Sequence, residues 1–219
     1  MTKLAHSYSA LTMYENCPQR YYRQRILKDV KDLGSKASED GQRDHKSLEL
    51  RLDEGKPLPK HLEQVETLCQ KLEGVKGELM VEQQLTLNDK LKPVGWFDKD
   101  AWFRVMTDVL IINGSTAVVL DWKTGKRKID FFQLESTAAN LFMHYPEIET
   151  VKTSLIWLKT MRSDPETFTK KEHFHSSWEN IYNRVALIEK SLDKDEWPAK
   201  PSGLCGWCPA QTSCKYAKV

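Results

Sequence analysis

The feature that most constrains this chain is the run Thr116-Ala117-Val118-Val119-Leu120-Asp121-Trp122-Lys123. Its apolar, β-branched body has the character of a strand at the centre of a sheet. It closes on a carboxylate and an ammonium two residues apart. Alternation puts Asp121 and Lys123 on one face and Trp122 on the other. Just upstream, Asn113-Gly114 is a strong hairpin signal. The preceding run, Trp102 to Ile112, is therefore predicted to pair antiparallel with the first. Counting outward from the turn brings Asp108 near Asp121 across that pair.

Around this centre the chain reads as helices first and strands later. Ser7 to about Lys28 is predicted helical, kinked or split at Cys17-Pro18. Further helices are predicted over Glu39–Leu52 and Leu62–Leu72, with a loop at Gly55–Pro59. Leu79–Leu87 and Lys92–Trp96 read as strands. Phe131 to about His144 reads as a helix that Pro146 closes. Val151–Lys159 and Phe168–His175 read as strands, and Trp178–Leu192 as a helix. The expected fold is α/β: a mixed sheet flanked by helices, with an N-terminal helical part and a C-terminal Cys-rich tail. One domain is expected over 1–219, divided into a helical part (1–75), a core (76–195) and the tail (196–219).

Composition narrows the function classes. The 219 residues are 40% hydrophobic and 29% charged, with a mean hydropathy of −0.59. No run approaches 18 apolar residues, so a membrane span is not expected. The start of the chain has no apolar stretch of the kind a signal peptide carries. A cytoplasmic location is expected, with thiols rather than structural disulfides. The net charge of +2 says little about partners. Two local clusters say more: Arg20, Arg23, Arg25, Lys28 and Lys31, and then Lys123, Lys126, Arg127 and Lys128. Each could hold phosphates or simply be a solvated face. Thr124-Gly125-Lys126-Arg127 lacks the upstream glycine of a P-loop, and no G-x-G-x-x-G, G-x-S-x-G or H-E-x-x-H occurs. His173 and His175 would share a strand face, with no third ligand nearby.

The acidic positions admit two readings each. Asp121 with Lys123, at the open end of a buried strand, suits metal-assisted phosphodiester hydrolysis. The carboxylate and the Trp122 carbonyl would hold a hard cation, and the lysine would orient water or stabilise developing charge. The alternative is a strand-end ion pair. Asp108 lies among core residues and needs a metal or another partner there. Glu82 could instead belong to the polar face of its strand, and His45 could be an ordinary helical histidine. The cysteines form a clearer pattern: Cys205, Cys208 and Cys214 space as C-x2-C-x5-C, and Cys17 lies at the far end of the chain. One thiol plus three favours an iron–sulfur cluster over zinc, which usually takes two paired sets. Cys69 reads as a small buried hydrophobe.

As an ordered set these residues resemble the PD-(D/E)XK nuclease superfamily, in its RecB-like exonuclease branch with an iron–sulfur cluster. That branch includes CRISPR-associated RecB-type exonucleases and the AddB nuclease domain. Ser7-Tyr8-Ser9-Ala10-Leu11 through Tyr14, Cys17-Pro18 and Tyr21-Tyr22 resemble the family's opening motif. His45 after Gly41 resembles its helical histidine. Asp121-Trp122-Lys123-Thr124-Gly125-Lys126 resembles its (D/E)xK motif. The resemblance implies a restriction-endonuclease-like core and a metal-dependent DNA exonuclease. It implies Mg2+ or Mn2+ on His45, Asp108, Asp121 and the Trp122 carbonyl, with Glu82 assisting through water and Lys123 handling the attacking water. It implies a structural 4Fe-4S cluster on Cys17, Cys205, Cys208 and Cys214. The family follows its core with Gln-x-x-x-Tyr; here Gln133 is kept and Thr137 replaces the Tyr. Gln133 and Thr137 would orient DNA, while Arg20, Arg23, Lys126, Arg127 and Lys128 would grip phosphates. The partner implied is DNA, as ends or single strands; the chain would act alone or with a separate recombinase or helicase. Two other readings stand beside it: a non-catalytic subunit that binds DNA ends, and a zinc-stapled protein with no nucleic-acid role.

Overall fold

A computed structural model describes residues 4–217; the outer ends of the expected 1–219 domain lie outside the described residues. The chain divides into two compact units. One is built on Lys36–Trp178, and the other on His6–Ser35 together with the chain from Glu179 onward.

The first unit contains helix α3 (Lys36–Glu54), a 3-10 turn (Lys60–Val65), helix α4 (Glu66–Glu73) and helix α5 (Phe132–His144). Its six strands are β1 (Glu78–Leu87), β2 (Pro93–Val94), β3 (Phe103–Asn113), β4 (Thr116–Lys123), β5 (Thr150–Trp157) and β6 (Arg162–Thr169). They form one mixed sheet in the order β2-β1-β3-β4-β5-β6. Only β4 and β5 run parallel, joined by α5 as the crossover helix. This is the restriction-endonuclease-like α/β arrangement that the sequence predicts.

The apolar run does form an interior strand. Val109 and Ile111 of β3, Leu120 and Trp122 of β4 and Ile156 of β5 pack on Leu48 and Leu52 of α3 and Val65, Cys69 and Leu72 of the α4 region. Each such side chain contributes about 1.5–3 kcal/mol by leaving water. Cys69 is wholly buried, and burial pushes its thiol up to about 11, so it is an inert core residue. Arg51, buried on α3, bonds Glu66 and Glu73 and ties α3 to α4.

Two backbone features shape β1. Gly77 sits at φ +131°, where a Cβ would lie 2.4 Å from the Ile112 carbonyl oxygen. Glu82 holds φ +51° in the middle of the strand. Its neighbours keep register, Val81 opposite Val109 and Gln83 opposite Thr107, so Glu82 falls at the position facing Asp108. A left-handed glutamate costs about 1–2 kcal/mol, and strain of this kind collects at functional sites.

The second unit contains helices α1 (Tyr8–Asn16) and α2 (Pro18–Tyr21), a π-helical turn (Tyr22–Leu27) and two 3-10 turns near the C-terminus. Pro18 opens α2 at a position where its missing N–H is not needed. Trp197 stacks on Tyr22 and Tyr21, and the Tyr14 hydroxyl donates to the Leu187 carbonyl at 2.8 Å. Helix α6 (Lys170–Lys194) begins in the first unit and continues in the second.

The structure corrects three sequence expectations. Lys92–Trp96 contributes only Pro93–Val94 as strand, because the segment is mostly an exposed loop. Phe168–His175 is not a strand. Only Phe168 and Thr169 end β6, and α6 starts at Lys170, so His173 and His175 are helical and share no strand face. Strand β6 as a whole is Arg162–Thr169, most of it upstream of the expected span, and Pro165 hides it from a strand reading. Proline is tolerated there because β6 is an edge strand.

Candidate active site

The ends of β3 and β4 generate the site. Their ladder pairs Val109 with Leu120 and then stops, so the next positions, Asp108 and Asp121, face each other where the strands part. Asp108 Oδ2 accepts the Trp122 backbone N–H at 2.6 Å. A residue's N–H and C=O point to the same side of a strand, so the Trp122 carbonyl also faces this gap. The Lys123 carbonyl, by contrast, bonds the Leu158 N–H on the β5 side. The Trp122 side chain is core.

Asp108 Oδ1 meets His45 Nδ1 at 3.1 Å. His45 lies one helical turn after Gly41 on α3. A Cβ at Gly41 would come within 2.8 Å of Thr124 Oγ1, so the glycine lets the helix approach the end of β4 closely. Glu82 completes the group: one ligand atom from each of His45, Glu82 and Asp108 lies within 4.8 Å of the others. Carboxylates and an imidazole at this spacing are a donor set for a hard divalent cation.

Lys123 Nζ lies 2.6 Å from Asp121 Oδ2 and donates to Gln133 Oε1 at 2.7 Å. The Gln133 amide nitrogen donates to the other Asp121 oxygen. One amide on the first turn of α5 therefore bridges the carboxylate and the ammonium and fixes both. Gln133 orients the two β4 residues, with its amide directed at them.

The electrostatics match the crowding of acids. Burial pushes Glu82 up to about 7, helped by Asp108 and Glu49 and opposed by His45 and Lys46. Burial also raises Asp121; Asp108 adds to the rise and Lys123 opposes it. Burial alone would lower His45, but the hydrogen bond and charge of Asp108, with Asp121 and Glu82 beyond, raise it on balance.

The other predicted contacts separate. Thr137 is 5% exposed and its hydroxyl donates to the Gln133 carbonyl, so it is not placed to meet a phosphate. Thr137 sits on the buried face of α5, and its hydroxyl is engaged by the helix backbone. Arg127 is tied to Asp164 of β6, whose carboxylate also accepts Trp157 Nε1 at 2.6 Å. It acts as a strut for the loop after β4, while Lys126 and Lys128 are exposed there. No sequence signal pointed to Asp164. In the second unit, Arg20 pairs with Asp32 and Arg23 with Asp29. Both arginines line one cavity with Cys17, Cys205, Cys208 and Cys214. Cys17 Sγ accepts the Lys200 N–H at 3.5 Å and Cys205 Sγ the Ser202 N–H at 3.3 Å. Among the described residues no helix is long and apolar enough to cross a membrane.

Comparison with known proteins gives three findings. The family model described as the PD-(D/E)XK nuclease superfamily matches residues 82–215. No curated protein matches. Among solved structures, a candidate exonuclease from Eubacterium rectale is similar in fold, with 13% identity and a TM-score of 0.57 over 98% of this chain and 90% of that one. The crystal structure of SSO0001 aligns with 13% identity and a TM-score of 0.46 over 98% and 88%.

Three groups of the site bind protons more tightly in the metal-free fold than in the unfolded chain. Glu82 and Asp121 have raised values, so ionising them costs stability. Raised His45 likewise loses a favourable charge as pH rises. All three make the metal-free protein less stable with increasing pH, Glu82 between 4.5 and about 7 and His45 above 6.5. A divalent cation bound there would replace those protons. Buried His6 and His144, held below the usual imidazole range by desolvation, act in the opposite sense on the metal-free fold, so the test is the increment in melting temperature from Mn2+, which is expected to grow from pH 5 to pH 8. Glu82→Gln should flatten that trend. A Mn2+ increment independent of pH would contradict this electrostatic account.

Proposed function

The chain belongs to the PD-(D/E)XK nuclease superfamily, and from that premise we propose that it is a divalent-metal-dependent DNA exonuclease. The observation that carries this reading is the meeting of Asp108, Asp121 and Lys123 where β3 and β4 part, with Glu82 and His45 beside them. The donors fit Mg2+ or Mn2+: hard oxygens from Glu82, Asp108, Asp121 and the Trp122 carbonyl, with the His45 imidazole adjoining. A cation held there supplies Lewis-acid stabilisation of charge developing on the scissile phosphate. Lys123, steered by Gln133, presents its ammonium where it can hold the attacking water or the developing oxyanion. Exposed Lys126 and Lys128 offer the neighbouring phosphates a positive surface. Exonuclease rather than endonuclease action follows the resemblance of the ordered motifs, and the name of the Eubacterium rectale neighbour agrees with it.

The test is cleavage of end-labelled linear DNA beside a closed circle of the same sequence, with Mn2+ or EDTA. Degradation of the linear form alone is expected, lost with EDTA and reduced at least a thousandfold in Asp121→Ala. Cutting of the circle would make the protein an endonuclease. Binding without cleavage would make it a non-catalytic DNA-end-binding subunit.

The second unit supports a structural 4Fe-4S cluster. Four thiols from the two ends of the described chain line one cavity, and two of them already accept backbone N–H bonds of the kind that steady thiolates. Arg20 and Arg23 beside them offset thiolate charge; Arg23 is raised chiefly by Asp29, with Cys214 and Cys208 adding to the rise. Bound there, the cluster ties α1–α2 to the tail. Anaerobically purified protein is expected to carry about four irons per chain, and Cys17→Ser to lose both iron and thermal stability. Full iron content in Cys17→Ser, or zinc in place of iron, would overturn the assignment.

A further inference from the structure

Past the carboxylates, the sheet face that carries Asp108 is open at Met106 and Gln84 and closes again at Thr86, which is buried. On β3, alternation puts Arg104 and Met106 on the same face as Asp108. On β1, the partner of Met106 is Gln84 and that of Arg104 is Thr86, while Glu82 faces Asp108. Both strands are interior to the sheet, yet Met106 is 48% exposed and Gln84 is exposed as well. At the end of this strip the Arg104 guanidinium lies 5.3 Å over the Trp96 ring. The Arg104 Nε is buried without a hydrogen-bond partner. Phe97 beside it is 87% exposed.

We propose that Met106, the Arg104–Trp96 stack and Phe97 form a base-stacking platform for an unpaired polynucleotide strand whose scissile phosphate lies at the metal site. This rests on the nuclease reading above and adds the form of the substrate. Three observations select that occupant. The first is continuity: four residues of antiparallel strand separate Asp108 from Arg104, about 14 Å. Nucleotides stacked at about 3.4 Å per strand would span that distance in roughly four steps, and an extended strand in fewer. The second is chemistry: a ring, a guanidinium stacked on a ring and a thioether all suit the flat face of a base of any sequence. The third is charge. The loop that carries Trp96 and Phe97 holds Lys90, Lys92 and Lys99 against Asp89, Asp98 and Asp100, three of each sign. It therefore adds no net attraction for phosphates, and the gain comes from base faces. A duplex hides those faces inside its own stack, whereas an unpaired strand offers them.

The experiment measures binding rather than cleavage, so it stands apart from the catalytic test. In EDTA, fluorescence anisotropy compares an end-labelled twenty-nucleotide thymidine oligomer with a blunt hairpin duplex of equal length. Phe97→Ala, at an exposed position that leaves the fold intact, and Trp96→Ala should each weaken single-strand binding about tenfold. Duplex affinity should change less than twofold, and Trp96→Phe, which restores a ring, should recover most of the loss. Equal weakening toward both probes would show a general DNA contact and overturn the platform. Unchanged single-strand binding in both alanine variants would overturn it too. Absence of metal-dependent cleavage by the wild-type protein, with the single-strand preference intact, would overturn the nuclease reading and leave a strand-binding protein.

Discussion

Three carboxylates, those of Glu82, Asp108 and Asp121, share one partly buried space, with His45 and Lys123 set against them. Burial raises the proton affinity of Glu82 and Asp121, and the neighbouring Asp108 charge raises it further. The fold spends backbone strain to keep them there, since Glu82 holds its left-handed conformation at the position facing Asp108. Such an arrangement is costly in isolation and would be relieved by a divalent cation. Much of the surrounding architecture serves to hold it: the parting of β3 from β4, the close approach of α3 at Gly41, and the Gln133 bridge.

The β4 strand links that site to stability. Its even positions, Val118, Leu120 and Trp122, belong to the core against α3 and α4. Its odd positions end in Asp121 and Lys123 on the opposite face. The same eight residues thus anchor the sheet and present the chemistry, with the Trp122 carbonyl turned toward the site and its ring toward the core. Arg127, bound to Asp164, fixes the loop that follows and leaves Lys126 and Lys128 exposed on it. Basic residues that appear equivalent in sequence therefore divide into struts and surface.

The sheet centre was legible because its signals are local. A β-branched run and an Asn-Gly turn specify β3, β4 and their register, and register alone brings Asp108 to Asp121. The helical histidine was legible through its family resemblance, and the structure places it on Asp108. What the sequence concealed depends on tertiary pairing. Pro165 masked β6, which is tolerated only because β6 is an edge. The resemblance sets Thr137 where a tyrosine would stand, but packing buries it and its hydroxyl serves the helix. The pairing of Arg127 with Asp164, and the stacking of Arg104 on Trp96, join residues far apart in kind or sequence and leave no periodic trace. The four thiols were legible as a set from spacing, and they line one cavity in the second unit.

The central claim is that the carboxylate cluster is a cation site. Anomalous scattering from crystals grown with Mn2+ tests it most directly. The account predicts a manganese peak in the gap between β3 and β4, bonded to oxygens of Asp108 and Asp121, with His45 released from Asp108. A peak elsewhere on the chain, with the Lys123–Asp121 and His45–Asp108 pairs undisturbed, would contradict it.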